Sequence, residues 1–168
     1  MRRFVFLALL GTILALVTRA YVIEGVYVAS ASMEPTLRTG TYFFLEKVSY
    51  RFRAPKRGEI IVFHSPVKKQ HGLIKRVIAL PGETIEIKQK DVYINGGKLN
   101  EPYVRHTRAA EQLVGDNLGP LTVPQAAVFV MGDNRDESED SRDWKNARGE
   151  YFYFLPVTSI EGRLMELY

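Results

Sequence analysis

Residues 73–83 have the sequence LIKRVIALPGE, an aliphatic run that contains two bases and stops at Pro81-Gly82. Aliphatic and β-branched residues followed by a turn-forming pair predict a buried β-strand from Leu73 to Ala79. Side chains of a strand alternate between its two faces, so Lys75 and Arg76 fall on opposite faces. One of these two bases must therefore point into an apolar environment.

The sequence after residue 24 repeats this pattern in further short runs. Ile85 and Ile87, then Val92 and Ile94, alternate with polar residues, which is typical of a half-buried antiparallel sheet. Residues 100–120 are the polar exception and indicate a surface loop or a small excursion, with outer bounds of 97–122. The sequence therefore predicts a mainly β fold built on antiparallel sheet. The other predicted strands are Tyr42–Val48, Glu59–His64, Glu83–Lys88, Asp91–Asn95, Ala126–Met131, Tyr151–Leu155 and Ser159–Leu167, separated by turn signals at Pro55–Gly58, Asn95–Gly97 and Gly119-Pro120.

The N-terminus carries a different pattern. Two bases precede an uncharged, mostly apolar run from Phe4 to Thr18, and the apolar theme resumes after Arg19 as far as Ile23. Three interpretations are open: a cleavable signal peptide, a buried core helix, or an uncleaved membrane anchor over residues 4–23. We favour the anchor, in which Arg19 extends its charge to the membrane boundary. Residues 1–3 are then cytoplasmic and residues 24–168 form an exported domain, in a single-pass arrangement.

Composition excludes several classes of protein. The 168 residues include no cysteine, which rules out a disulfide scaffold, a zinc ribbon and a cysteine nucleophile. The net charge is +4, but residues 131–168 carry five bases and nine acids. A nucleic-acid-binding protein would be more uniformly basic, and no groove-reading helical motif is present. An ordinary content of 46% hydrophobic and 25% charged residues indicates a globular domain.

The sequence gives little support for a metal site or for a serine triad with a histidine base. His64, His71 and His106 lack the spacing of a zinc site, and nothing favours any of them as the base of a serine triad. The segment from Asp133 to Asp143 holds six carboxylates, but no EF-hand register fits it, so at most a looser calcium site stays open. Phosphate-binding glycine loops are absent from the sequence. We therefore expect neither a metal nor another cofactor.

Serine and lysine remain as candidate catalytic groups. Ser32 lies shortly after the predicted anchor, in the irregular segment Ser30–Leu37, where an exposed turn suits a nucleophile. Burial disfavours a charged amine and would lower the pKa of Lys75 from its usual value of about 10.4. A neutral lysine can accept a serine proton, whereas arginine stays protonated. The alternative is an edge-strand lysine whose amine reaches solvent.

Four blocks in order resemble the bacterial type I signal peptidases. They are Ser32–Leu37 (SMEPTL), Arg57–Phe63 (RGEIIVF), Leu73–Glu83 (LIKRVIALPGE), and Gly132–Arg135 (GDNR) continuing to Ser138 and Asp140–Arg142. Asn95-Gly96 and Glu101-Pro102-Tyr103 also match. The resemblance implies a membrane-anchored β protease on the extracytoplasmic face of the plasma membrane. It implies a monomer that cuts signal peptides from exported preproteins after Ala-x-Ala sites, in contact with membrane lipid and without a cofactor.

The resemblance also implies roles for individual residues. Ser32 is expected to be the nucleophile and Lys75 the general base, while the hydroxyl of Ser30 joins the Ser32 N–H in the oxyanion hole. Ser138 is expected to orient the lysine. Structural support for this wall of the site is expected from Asp133, Arg135, Asp140 and Arg142, and the residues at pocket-lining positions are Val28, Met33, Leu37, Leu73 and Ile74. Ala29 stands where proline is common in the family, and Leu73 stands where an aromatic residue is frequent.

Three other functions remain open at this point. A self-cleaving repressor shares Ser–Lys chemistry but carries a DNA-binding domain in place of Phe4–Ile23. A specialised peptidase for pilins or conjugation proteins would share every catalytic residue. A binding module without activity is the alternative outside the enzymes.

Overall fold

The fold was analysed in a computed structural model that describes residues 2–67 and 72–165. Helix α1 (Arg2–Tyr21) comes first and none of its residues is buried. It is long and apolar enough to span a membrane, with a mean hydropathy of 2.0. The predicted anchor ran to Ile23, but the helix ends two residues earlier and Ile23 begins the first strand. Arg19 thus lies in the last turn of the helix.

A seven-stranded antiparallel sheet follows the helix. Its strands are β1 (Ile23–Tyr27), β2 (Tyr42–Glu46), β3 (Ile60–His64), β4 (Gly72–Ala79), β9 (Ala127–Met131), β10 (Leu155–Pro156) and β11 (Ile160–Leu164). Their order in the sheet is β1-β2-β11-β3-β4-β9-β10, so the strand that carries Lys75 lies inside the sheet between β3 and β9. The mainly β, antiparallel fold expected from the sequence is confirmed.

A second sheet of four strands covers part of the first. Its order is β7-β6-β5-β8, formed by β5 (Thr84–Lys88), β6 (Asp91–Ile94), β7 (Gly97–Lys98) and β8 (Leu118–Thr122). The alternating Ile85, Ile87 and Val92 point into a core that also holds Phe129 and Met131 of β9. Apolar alternation in the sequence therefore marks the face that this sheet buries.

Strands β1 and β7 were not predicted, and two further predictions differ from the structure. Gly119-Pro120 was expected to form a turn, but it lies within β8, at the edge of the four-stranded sheet. An edge strand tolerates proline because one of its sides needs no ladder hydrogen bond, and the register shift between Ile85 and Ile87 falls opposite this pair. The run Tyr151–Leu155 forms a strand only at Leu155, because Phe152 stacks on buried Trp144 instead of extending a ladder.

Gly162 of β11 lies where the large sheet has no room for a side chain. A Cβ there would collide with the backbone carbonyl of Glu46 and with the Leu45 side chain of β2. We expect Gly162→Ala to destabilise the fold by more than about 2 kcal/mol, since a packed backbone cannot yield. Gly25→Ala in β1 is the matched control, because nothing lies within 4 Å of its Cβ position. Thermal unfolding in detergent tests this expectation, and equal midpoints for the two variants would contradict it.

Candidate active site

The segment around Ser32 is a short 3-10 helix (Ala31–Met33) between β1 and β2. Ser30 precedes it in extended conformation, with φ −136° and ψ 158°. The ends of the segment are tied together because Val28 N–H donates to Thr41 and Gly40 N–H donates back to the carbonyl of Val28. The sequence predicted an exposed serine on a turn, but Ser32 is buried, because its hydroxyl faces the Lys75 amine of β4.

Lys75 lies opposite Ile61 in the β3–β4 ladder, and its side chain is buried, with 3% of the residue exposed. Its Nζ lies 2.8 Å from the Ser32 Oγ, within hydrogen-bond distance. The Ser32 Oγ is also 3.2 Å from the Ser30 Oγ. The structure therefore brings together Ser30, Ser32 and Lys75. Arg76, on the opposite face, is buried as well, so both bases of the strand are removed from water.

Burial lowers the pKa of Lys75 to about 8, and the nearby Arg142 guanidinium acts in the same direction. The carboxylates of Asp140, Glu139 and Asp133 oppose this shift by stabilising the ammonium form. A pKa of about 8 leaves a useful neutral fraction near physiological pH, which a lysine at its ordinary pKa would not have. The sequence predicted that burial would lower the pKa of Lys75, and the structure gives the same direction.

Asp140 lies in the wall of the site behind Ser32 and Lys75. It is fully buried and accepts hydrogen bonds from Gly132 N–H, from Ser138 Oγ at 2.8 Å, and from Nε and Nη2 of Arg142, each at 2.9 Å. Burial alone would raise the pKa of Asp140, but Arg142 and the Gly132 N–H hold it below its ordinary value. The predicted pairing of Asp140 with Arg142 is present, and it fixes the Ser138 hydroxyl.

Gly132 brings the two halves of the site into contact. A Cβ at this position would collide with the Oγ and Cβ of Ser138 and with the backbone carbonyl of Ser32. Ser138 and the nucleophile segment therefore both pack directly on the bare glycine backbone. Only glycine permits this approach.

Asp133 and Arg135, expected to be structural, have partners that the sequence did not reveal. Asp133 accepts hydrogen bonds from Nε and Nη2 of Arg76 at 2.8 and 2.6 Å, and from the Thr36 hydroxyl at 2.5 Å. Arg135 donates two hydrogen bonds to Glu101, at 3.1 and 2.5 Å. Both arginines thus pair with carboxylates far away in sequence, and these pairs fasten the nucleophile segment and the 101–105 segment to the 132–142 segment.

The segment around Glu101 completes this support. Tyr103 donates to Glu101 at 3.0 Å and its ring lies 4.0 Å below the Arg76 guanidinium. Arg105 N–H donates to the carbonyl of Asp133 at 2.9 Å. The Glu101-Pro102-Tyr103 match had no expected role. The signal that could have suggested one was a carboxylate and an aromatic residue close together in an otherwise polar loop.

The two described histidines, His64 and His106, contact carboxylates and not the Ser32–Lys75 pair. His64 is exposed, and His71 lies outside the described residues. His106 has a carboxylate partner, with Nδ1 3.2 Å from the Asp136 Oδ1, although the sequence gave no reason to single it out. The Ser32 hydroxyl contacts Ser30 and Lys75 instead. Within residues 2–67 and 72–165, no group of three or more His, Asp or Glu side chains is arranged to hold a metal.

Four of the five predicted pocket residues gather beside the nucleophile. Val28, Met33 and Leu37 are buried in one apolar cluster, and Ile74 packs against it. Leu73 packs instead against the cluster that contains Phe63 and Trp144, on the other face of β4. The alternation of β4 explains the separation, since Leu73 and Ile74 are consecutive.

Comparisons with known proteins identify the family. Residues 1–168 match the family described as signal peptidase, peptidase S26. A signal peptidase I from Bacillus licheniformis is 39% identical over 163 residues, which span 90% of this chain and 87% of that protein. One from Leptolyngbya laminosa is 42% identical over 161 residues, spanning 92% of this chain and 72% of that protein. The crystal structure of a signal peptidase I from Enterococcus faecalis matches with a TM-score of 0.50 and 37% identity, over 67% of this chain and 98% of that one.

Fold and relatives together define a membrane-anchored serine peptidase. More narrowly, the chain belongs to the signal peptidase family, peptidase S26, and is of the signal peptidase I kind, whose activity is the removal of signal peptides. The family predicted from the sequence is confirmed. The roles assigned to individual residues stay predictions.

Asp143 provides a test of the electrostatics behind the site. Burial, and next the Asp140 carboxylate, raise its pKa to about 6 from an ordinary 3.8. The folded protein then binds a proton that the unfolded chain has already lost, so ionisation of Asp143 lowers stability as the pH rises from about 4 to 6. We expect Asp143→Asn to become progressively more stable than the wild type across this range, and then to keep a constant advantage. Parallel curves of unfolding midpoint against pH would contradict this expectation.

Proposed function

We propose that this enzyme cleaves exported preproteins after small-x-small sites of the Ala-x-Ala type, with Ser32 as nucleophile and neutral Lys75 as general base. The observation that carries the proposal is the 2.8 Å contact between Lys75 Nζ and Ser32 Oγ, made by a lysine whose pKa burial lowers to about 8. The order of the matching segments along the chain supports the same assignment.

The reaction follows from the proton positions. Lys75 Nζ accepts the proton of Ser32 as its Oγ attacks the scissile carbonyl, and the resulting ammonium then donates that proton to the leaving amine. Water attacks the acyl ester in a second step, with Lys75 again as base, and the Ser32 hydroxyl is regenerated. A lysine serves here because it is uncharged before each attack and charged while the oxyanion exists.

The oxyanion needs donors that are already in place. The Ser30 hydroxyl, 3.2 Å from the Ser32 Oγ, and the Ser32 backbone N–H are the proposed donors. Each such donor is typically worth about 3 kcal/mol. Ser138 is proposed to orient Lys75. Its hydroxyl is held by Asp140 against Gly132, which also touches the Ser32 carbonyl, so it lies on the wall that the two catalytic segments share.

Substrate specificity is proposed to arise from the apolar cluster beside Ser32. Val28, Met33, Leu37 and Ile74 pack in one apolar cluster beside the nucleophile, and a shallow site walled by them would suit small side chains. Leu73, whose side chain lies on the other face of β4, would contribute backbone groups for pairing with an extended substrate. Preproteins are the proposed partners, and we propose that the enzyme acts as a monomer without nucleic acid.

We further propose a single-pass topology, with the N-terminus in the cytoplasm and the catalytic domain on the extracytoplasmic face. Arg2 and Arg3 are the first residues of the helix, ahead of its uncharged apolar stretch, as the distribution of basic residues around membrane spans requires. Basic residues after the helix, including Arg51 and Arg53, lie close enough in sequence to meet lipid headgroups. The Arg51 guanidinium stacks over Tyr21 at the end of the helix, 5.8 Å from the ring centre.

Single substitutions test the proposed catalytic pair. With detergent-solubilised full-length enzyme and a preprotein carrying an Ala-x-Ala site, we expect Ser32→Ala and Lys75→Ala each to lower kcat by at least about 10⁴-fold. The wild type should cut after the second alanine of the site, as mass spectrometry of the product would show. Substantial cleavage by Ser32→Ala would contradict the proposal.

The pH profile tests the ionisation state of Lys75. We expect kcat/KM to fall tenfold per unit below an apparent pKa of about 8, because only the neutral amine accepts the proton. The Glu139 carboxylate raises the pKa of Lys75, so Glu139→Gln should shift this acid limb to lower pH. Glu137→Gln is the matched control, since Glu137 is also exposed in the same segment but is not among the charges that shift Lys75. Identical profiles for Glu139→Gln and wild type would count against this electrostatic coupling.

A further inference from the structure

Asn134 is a buried polar residue with no role in the proposal so far. It follows Asp133 in the segment that packs against the nucleophile, and only 2% of the residue is exposed. Its side chain and its backbone both reach across to the 3-10 helix that carries Ser32.

Two hydrogen bonds connect Asn134 to consecutive carbonyl groups. Its backbone N–H donates to the Ser32 carbonyl at 3.1 Å, and its side-chain Nδ2 donates to the Ala31 carbonyl at 3.2 Å. The Ala31 carbonyl also accepts the N–H of Glu34 at 3.1 Å. Two donors therefore hold this carbonyl, one from within the helix and one from the opposite wall.

The Ala31 carbonyl and the Ser32 N–H belong to the same peptide group. Because a trans peptide is planar, its N–H points away from its carbonyl, and fixing the carbonyl fixes the direction of the N–H. Hydrogen bonds to a carbonyl also polarise the N–H at the other end of the same peptide. Asn134 thus acts on the backbone donor proposed to receive the oxyanion, without touching substrate itself.

The other end of the Asn134 amide argues against a purely structural role. Its Oδ1 is buried and has no hydrogen-bond partner among the described residues. The opposite orientation of the amide would place Oδ1 against the Ala31 carbonyl, where two acceptors repel each other. An unpaired buried acceptor costs free energy and offsets part of what the Nδ2 bond contributes to folding. Net stabilisation from this side chain is therefore small, whereas its effect on the Ser32 peptide is direct.

We propose that Asn134 is a positioning residue of the oxyanion hole: through its side-chain amide it aligns the Ala31–Ser32 peptide so that the Ser32 N–H receives the developing oxyanion. The inference rests on the proposed Ser–Lys peptidase function. It adds a residue that acts on the transition state through the backbone, since a donor aligned in advance needs no reorganisation during the reaction.

The experiment compares Asn134→Leu and Asn134→Ala with wild type, using the full-length enzyme in detergent and the Ala-x-Ala preprotein. Leucine keeps the approximate volume and removes the donor together with the unpaired acceptor, so we expect an unchanged unfolding midpoint. We expect kcat to fall by about 10- to 100-fold, less than for complete loss of a donor. KM and the apparent pKa of about 8 should stay as in wild type, because Lys75 and the pocket are undisturbed.

Asn117→Ala is the matched control. The exposed Asn117, just before β8, also bonds the main chain through its side-chain amide, since its Oδ1 accepts the N–H of Gln89 at 3.0 Å. This contact involves no residue of the candidate active site, so the kcat of Asn117→Ala should equal that of wild type. If Asn134→Leu does not fold, the kcat and unfolding midpoint of Asn134→Ala test the proposal instead.

The outcomes separate the two proposals. Wild-type kcat in the Asn134 variants, alongside an inactive Ser32→Ala, overturns the positioning role alone. A fall in kcat accompanied by a raised KM, a moved acid limb or a lowered unfolding midpoint shows a general structural role and also overturns it. Activity in Ser32→Ala overturns the proposed function on which the inference rests.

Discussion

Withdrawing one amine from water is the constraint on which the other parts of the site depend. Lys75 lies inside the large sheet, where its ammonium form persists only as far as nearby charges compensate it. Asp140 supplies such a charge, but its carboxylate is hydrogen-bonded to the Arg142 guanidinium. The positive charge of Arg142 offsets much of the stabilisation that Asp140 would otherwise give to the ammonium form of Lys75. The pKa of Lys75 therefore falls to about 8 and no further. Other buried charged groups hold the residues around Lys75 in one arrangement, so the electrostatic environment of the amine is well defined.

Those charges are arranged as three carboxylate–guanidinium pairs: Asp133 with Arg76, Glu101 with Arg135, and Asp140 with Arg142. The Asp133–Arg76 pair lies at the end of the β4–β9 ladder, the Glu101–Arg135 pair connects two loop segments, and the Asp140–Arg142 pair closes a turn. A buried pair adds little net stability compared with apolar packing, but loss of one partner leaves an unpaired buried charge and is severe. The pairs thus specify one arrangement of the 132–142 segment against the sheet and the nucleophile segment, and the hydroxyl and amide groups of the site depend on that arrangement.

The sequence predicted those features that local patterns determine. Alternation and turn signals located β4, β5, β6 and β9 within about a residue of their bounds, and burial of a base in β4 followed from alternation alone. Long-range pairings could not be predicted in this way: nothing local to Arg76 indicates Asp133, and nothing local to Asn134 indicates the Ala31 carbonyl. β8 was missed because Gly119-Pro120 usually ends a strand, and only the edge position in the sheet makes it acceptable. The predicted anchor includes Val22 and Ile23 because they are as apolar as the helix, whereas in the structure the helix ends at Tyr21 and Ile23 pairs with Glu46.

Helix α1 and strand β1 are separated by a single residue, Val22, whose N–H bonds back to Thr18 while its carbonyl accepts the N–H of Lys47. Val22 is therefore hydrogen-bonded both to the helix and to the sheet. The catalytic domain is joined to its anchor without a flexible linker. For an anchored peptidase, a junction of one hydrogen-bonded residue sets the height of the catalytic domain relative to the end of its apolar helix. The anchor then acts as a ruler, because the distance from the membrane surface to the catalytic domain follows from the junction and not from the reach of a flexible linker.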